Sequence, residues 1–284
     1  MVQTLHNYRL ICPGAMLMRE GKICEQCISG SPYQAAWYGC YRDSKMGSLV
    51  VGHMVAQHRK QGTWQHKVNR FIALTDFAKS KFVEAGFPAD KIAVKANFVN
   101  DPLKETPQKN TTTPRFALFV GRISEEKGIK TLMKAWTSIG DNDLLKVAGA
   151  GPLETLLSGK NNVTALGRQS TEEISLLMQQ AAFLVLPSEW YEGFPLVLVE
   201  AFAHGLPVLA SRLGSMADII KDGETGLLFT PGDAGDLASK AKWLLENPQQ
   251  AQILGENARR TFLAKYTPEQ NYEELMAIYE SITN

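Results

Sequence analysis

The sequence predicts an α/β protein with two Rossmann-like domains, an incomplete one first and a complete doubly wound parallel sheet after it. Three observations carry that prediction. Six short apolar runs between Phe116 and Phe229 alternate with helical segments, and such alternation builds a parallel sheet because parallel neighbours need a crossover that a helix fills. The stretch from Lys45 to Phe98 repeats the alternation on a smaller scale. Between the two, Asn100 to Pro114 (NDPLKETPQKNTTTP) is polar, proline-containing and poor in bulky apolar residues, the composition of an interdomain linker.

A chain of 284 residues has room for two domains, and 44% hydrophobic content is ordinary for a soluble globular protein. A net charge of +1 argues against nucleic acid as the main partner. No apolar run is long enough to span a membrane, and the N-terminus lacks the layout of a signal peptide, so a cytoplasmic location is expected.

In chain order, Met1–Asn7 reads as a short strand ending in His6. The irregular segment that follows holds all four cysteines, Cys12, Cys24, Cys27 and Cys40. Disulfides are not expected in a reducing compartment. The spacing C-x11-C-x2-C-x12-C fits four thiolates around one structural zinc, since a C-x2-C turn presents two sulfurs to one ion. Four small buried residues, or reactive thiols, remain the other readings. Zinc chemistry on a substrate has no support, because the chain has neither an H-x-E nor an H-E-x-x-H motif.

Apolar positions from Lys45 to Gln61 suit a helix, Phe71–Leu74 a buried strand, Thr75–Gly86 a helix stopped by glycine, and Lys91–Phe98 a further strand. Past the linker, Phe116–Val120 is a strand, Gly121 to Gly128 a loop with Arg122 and Lys127, and Ile129, Leu132, Met133 and Trp136 one face of a helix. Leu144–Ala148 with the Gly149–Pro152 turn falls short of a full dinucleotide fingerprint. Val163–Leu166 is the next strand, running into Gly167-Arg168, and Ser170 to Glu173 is a capping box that opens a helix.

Phe183–Leu186 then reads as a buried strand, followed by a loop with two acids and a helix entered at Pro195 and closed by Gly205. That helix start offers unpaired N–H groups and the positive end of a dipole, an anion site beside Glu192 and Glu200. Pro207–Ala210 and Thr225–Phe229 are the last two strands, with a short helix from Met216 to Lys221 between them. Asp233 caps a helix reaching Glu246, and two more helices complete the chain. Arg122, Lys127, Gly149, Arg168 and Glu192 all follow strand ends, where open parallel sheets bind ligands. The expected domains are 1–99, a linker at 100–114, 115–267, and a last helix in 268–284.

The acid Glu192, Gly193-Phe194-Pro195 and a second acid, Glu200, eight positions on, resemble the E-x7-E signature of the retaining GT-B glycosyltransferases of family 4, also called glycosyl transferases group 1. The resemblance covers nearly the whole chain and is strongest from Phe116 to Phe229. It implies the GT-B fold, a first domain lacking much of its earlier half, and a last helix returning to that domain. It also implies transfer of a sugar from a nucleotide diphosphate sugar to a glycan or lipid-linked acceptor hydroxyl, without a catalytic metal.

By the same resemblance, His6 and Glu192 position the donor sugar, and Arg122 and Lys127 neutralise the diphosphate beside Gly121 and Gly149. The backbone of Gly193, Phe194, Leu196 and Val197 holds diphosphate and sugar, Glu200 holds the ribose, and Arg168 lies near the base. Pro195 stands where many relatives offer a glycine N–H, and proline removes that donor. A different class stays open: a nucleotide-sugar-binding fragment without turnover, whose uncovered sheet edge recruits a partner chain. Peripheral membrane contact is also left open. A Rossmann-type dehydrogenase fits poorly, since it would leave the paired acids without a task.

Overall fold

The computed structural model describes residues 1–104, 116–140 and 144–282. From residue 105 onward the expected linker lies outside the described residues. The chain divides into two compact units, neither of them contiguous: the first takes Met1–Asn97, Trp190–Phe194 and the chain from Asn271, the second Phe98–Glu189 and Pro195–Gln270.

In the first unit, β1 (Val2–Leu5) leads into small elements: β2 (Met18–Arg19), β3 (Lys22–Ile23), α1 (Gln26–Ser29) and α2 (Gln34–Tyr38). Sequence periodicity shows only an irregular segment there, because pieces of two to five residues are too short to display a period. Then come α3 (Lys45–Lys60), α4 (Thr63–Lys67), β4 (Arg70–Ala73), α5 (Asp76–Glu84) and β5 (Ile92–Val94). Side-chain caps start the longer helices: Ser44 accepts from the Gly47 N–H and Thr75 from the Ala78 N–H. Gly86, at φ +90°, ends α5 as expected. β5 is shorter than the strand read from Lys91 to Phe98.

The strands form a parallel sheet in the order β1-β4-β5, with Leu5 opposite Ala73 and Ala73 opposite Val94. Behind it, Phe71, Phe82, Phe87, Tyr8, Leu17 and Ile28 make one buried cluster. Two of these rings meet edge to face, Phe82 and Phe87 at 5.2 Å.

The second unit holds β6 (Ala117–Val120), α6 (Ile129–Ser138), β7 (Leu145–Ala148), β8 (Val163–Gly167), α7 (Thr171–Gln180), β9 (Phe183–Leu186), α8 (Leu196–Ala203), β10 (Val208–Ser211), α9 (Gly214–Ile219), β11 (Gly226–Phe229), α10 (Ala234–Glu246) and α11 (Pro248–Lys265). Helix α12 (Pro268–Glu280) closes the chain, and within the first unit the Asn271 side-chain amide donates to the Ala96 carbonyl at 2.7 Å. All six strands are parallel, in the order β8-β7-β6-β9-β10-β11, which reverses direction between β6 and β9. This is the doubly wound order, and the reversal is where such sheets open a crevice at their carboxyl ends.

β9 and β10 are buried along their whole length, as strands covered on both faces must be. The apolar stripe of α6 packs Ile129, Leu132 and Trp136 against Phe119, Phe183 and Phe229 in the main core. The capping box of Ser170 and Glu173 is complete. Two readings shift: α9 starts at Gly214 rather than Met216, and Pro195 is the N-cap of α8 rather than its first helical residue. With φ −75° and ψ +94°, Pro195 has proline's fixed φ but an extended ψ, so the helix starts one residue later.

Candidate functional site

The carboxyl ends of β6, β7 and β8 are laced together by backbone hydrogen bonds. The Gly121 N–H donates to the Ala148 carbonyl at 3.0 Å, Ile123 to Ala150 at 3.0 Å, and Gly149 to Gly167 at 2.7 Å. Such close approach requires glycine at position 149. Its φ is +148°, and a Cβ placed there would sit 1.8 Å from the Gly121 carbonyl oxygen. The loops enclose a pocket of about 620 Å³ whose walls include Gly121, Arg122, Gly149, Arg168, Gln169 and Ile174. Pockets of this size take small ligands. Two guanidinium groups on its wall and exposed backbone at its glycines select for anionic oxygens. Four sequence-predicted residues, Gly121, Arg122, Gly149 and Arg168, thus share one pocket. Gln169 and Ile174 were not foreseen, since neither belongs to a motif.

The loop carrying Lys127, which is half-buried, is fixed to the end of β9. Gly128 adopts φ +71°, and a Cβ there would meet the Pro187 carbonyl oxygen at 1.8 Å. The Glu189 N–H donates to the Glu126 carbonyl at 2.9 Å, the Ser124 hydroxyl to the Glu126 carboxylate at 2.7 Å, and the Thr131 hydroxyl to the Glu189 carboxylate. Leu196 and Val197 occupy the first turn of α8, and Glu200 the second. Glu200 borders a neighbouring pocket of about 570 Å³, which shares Ile174 with the first and is also lined by Asn100, Ser175 and His204. Burial raises the Glu200 carboxyl above its ordinary range.

At the end of α8, burial pushes the His204 imidazole down to about 4, and the Arg259 guanidinium adds to the effect. Arg259 itself makes a bidentate pair with Asp101, both bonds at 2.8 Å, and donates to the Ala203 carbonyl at 2.7 Å. A histidine whose folded pKa lies below its unfolded value of 6.5 lends stability that is complete above 6.5 and lost as pH falls toward 4. A shift of that size corresponds to a contribution on the order of 3 kcal/mol. Glu200 acts oppositely: its raised pKa makes its ionisation, as pH rises from the carboxylate range, destabilising. Denaturant titrations between pH 7 and pH 4.5 should therefore show a loss of stability that is markedly smaller in His204→Gln. Equal loss in both proteins would remove His204 as the cause.

In the first unit, His6 follows β1 and is exposed, and its carbonyl oxygen would lie 2.8 Å from a Cβ built at Gly193. Glu192 is only 7% exposed, and its N–H donates to the Trp190 carbonyl at 3.1 Å. Next to it, Tyr191 packs on Phe77 with ring centroids 4.6 Å apart. Burial and a hydrogen bond to Glu25 raise the Tyr191 phenol to about 12. Glu25 also pairs with Lys81 at 2.8 Å. Tyr191, Phe77, Glu25 and Lys81 therefore hold the short segment that presents Glu192, Gly193 and Phe194. Local pattern carries no signal for this anchor, because Tyr191 lies more than a hundred positions from Glu25, Phe77 and Lys81.

The four cysteines are free thiols, Cys12 buried and the others partly so. Burial, then the neighbouring Cys12, Cys40 and Cys24, raise the Cys27 thiol to about 12. Burial, Cys12 and Cys24 raise Cys40 in the same way. Among the described residues no three His, Cys, Asp or Glu side chains stand as a ready-made metal-binding group.

Sequence comparison meets this geometry at the second unit, where the family model of the glycosyl transferases group 1 matches residues 102–261. The chain belongs to the glycosyl transferases group 1 family. An uncharacterized glycosyltransferase of Methanocaldococcus jannaschii is 35% identical over 175 residues, 60% of this chain and 49% of that protein. The alpha-D-kanosaminyltransferase of Streptomyces kanamyceticus is 27% identical over 237 residues, 76% of this chain and 61% of that protein. Among solved structures, the sucrose-phosphate synthase of Thermosynechococcus elongatus superposes with a TM-score of 0.70 at 26% identity, covering 82% of this chain and 62% of that one. An Anabaena protein, HepE, solved in complex with UDP, gives 0.70 at 20% identity, covering 82% and 67%. The fold of this group 1 glycosyltransferase chain is accordingly GT-B. The chain spans about half the length of the curated relatives it matches first. No helix among the described residues is long and apolar enough to cross a membrane.

Proposed function

We propose that the chain moves a sugar from a nucleotide diphosphate sugar to an acceptor hydroxyl of a glycan or lipid-linked substrate, with retention at the anomeric carbon, as in family 4. The observation that carries this reading is the pocket shared by Gly121, Arg122, Gly149 and Arg168 at the carboxyl edge of the doubly wound sheet. HepE, a structural neighbour, was solved with UDP and with UDP-glucose, which supports a nucleotide-sugar donor.

In this reaction the bond from the anomeric carbon to the diphosphate oxygen breaks, and a bond to the acceptor oxygen forms on the same face. The departing phosphate oxygen takes the acceptor's proton, so no protein nucleophile is required. Negative charge accumulates on the diphosphate as the bond breaks, and Arg122 and Lys127 stabilise it more in the transition state than in the ground state. His6 and Glu192 orient the donor sugar, Glu200 accepts from ribose hydroxyls, and Arg168 borders the base.

Titration calorimetry with UDP, GDP and ADP, run beside a transfer assay with the matching sugar donors, tests the proposal. Saturable binding of one diphosphate together with donor-dependent turnover is the expected result. Binding without hydrolysis or transfer would favour a donor-binding chain completed by a partner, and no binding at all would defeat both readings.

A further inference from the structure

We propose that Cys12, Cys24, Cys27 and Cys40 hold one zinc ion as a structural four-thiolate site. It is independent of the sugar-transfer reading, and none of the four cysteines lines the pocket described above.

Three arginines clip the cysteine-bearing turns to one another. The Arg9 guanidinium donates to the Pro13 carbonyl and lies over the Tyr41 ring, 4.9 Å from its centroid, which ties the residue after Cys12 to the residue after Cys40. Arg19 donates to the Gln26 side chain at 3.0 Å and lies 3.9 Å from the centroid of Tyr38, which ties the Cys24–Cys27 turn to the chain just before Cys40. Arg59, on α3, donates to the carbonyls of Cys27 at 2.9 Å and Gly30 at 3.0 Å. Gly14 marks the meeting of the outer two: a Cβ built there would lie 3.7 Å from both Cys12 Sγ and Cys40 Cβ.

The local scaffold suits a metal. The hairpin of β2 and β3 leads directly into Cys24, and Cys27 lies in α1, so the C-x2-C pair spans the step from hairpin to helix. The only non-glycine residues with positive φ among those described are Ala15, Leu17, Glu20, Arg42 and Asp43, all in the turns between and beside the cysteines. Strained backbone of this kind persists where something over-determines it. A bound ion does so, because its ligands fix the turns from inside.

Charge also fits. Four thiolates around Zn²⁺ carry a net charge of −2, and Arg9, Arg19 and Arg59 bring positive charge to the turns that carry them. Binding releases one proton from each thiol, and the thiols that repel one another as anions become mutual ligands once the cation lies between them. Among the described residues no three His, Cys, Asp or Glu side chains already form a metal-binding group, so binding has to draw the four sulfurs together.

The test uses the full chain, purified without an affinity tag or added metal. Elemental analysis should give close to one zinc per chain, and titration with a mercurial should release it in step with modification of four thiols. Growth in cobalt should yield protein with the thiolate charge-transfer and visible bands of a tetrahedral sulfur site. Cys24→Ser and Cys27→Ser should each lose the metal; should they fail to fold, the cobalt spectrum of the unaltered chain still decides. Four thiols reacting freely with Ellman's reagent in metal-free folded protein, a disulfide between any two of them, or a cobalt spectrum indicating fewer than four sulfurs would each overturn the assignment.

Discussion

Under the proposed sugar transfer, Arg122→Ala is expected to lower turnover by about 10²–10³-fold, the cost of removing a group that would meet charge developing in the transition state. The side chain is exposed and lies on the pocket wall at the end of β6, so its removal leaves the core untouched. Unfolding free energy should therefore change no more than in ordinary surface substitutions, about 0.5 kcal/mol or less. Most of the loss should fall on kcat, because the ground-state diphosphate is already charged but gains further charge as the glycosidic bond breaks. Arg122→Lys should recover only part of the rate, since an ammonium keeps the charge but not the planar fork. The measurement is steady-state kinetics with the nucleotide sugar that gives the largest thermal shift. Unchanged kcat in Arg122→Ala would take the arginine out of the reaction.

Gly149→Ala is expected to do the reverse, damaging structure and donor binding together. The added methyl would have to stand 1.8 Å from the Gly121 carbonyl oxygen, a contact backbone can relieve only by separating the ends of β6 and β7. Gly149 also adopts φ +148°, which an alanine rarely visits. Strain of this class costs about 1–3 kcal/mol before any clash is counted. Loss of the Gly121–Ala148 and Gly149–Gly167 hydrogen bonds adds roughly 1 kcal/mol for each. Denaturant unfolding should show a destabilisation of several kcal/mol, on the order of what other special-backbone sites suffer, and calorimetry should show nucleoside diphosphate affinity lost. A variant of wild-type stability that still bound the nucleotide would show that the pocket does not depend on this approach.

Much of the second unit was legible because its strands are apolar on both faces and bounded by turn residues. Phe183–Leu186 is legible to the residue, and Asp233 is legible as the cap of the helix that follows it. The capping box at Ser170 was readable because its two halves are three residues apart. What failed was either too short or too distant. The hairpin and two small helices around the cysteines carry no period, so they read as irregular chain. Sequence pattern places Pro195 one position too far into the helix, because proline fixes φ but leaves ψ free, and ψ decides whether a residue belongs to the helix.

The candidate site shows the same division. Gly121, Arg122, Gly149 and Arg168 follow strand ends in sequence, and strand ends of a parallel sheet must share an edge, so their meeting in one pocket could be expected. Glu200, in the second turn of α8, borders the adjoining pocket instead. The support of Tyr191 by Phe77 and Glu25 joins residues more than a hundred positions apart, a pairing that local pattern does not encode.

Five residues, Trp190–Phe194, group with the N-terminal part of the chain although both of their flanks belong elsewhere. No pair of cloning boundaries can therefore excise either half intact. An expression fragment starting at Phe98 would keep Tyr191 while discarding Phe77 and Glu25, leaving an aromatic ring and a phenol to solvent in the middle of the signature loop. Reassembly from two separately produced pieces is the more faithful way to dissect this protein, since co-refolding returns that ring to its own neighbours.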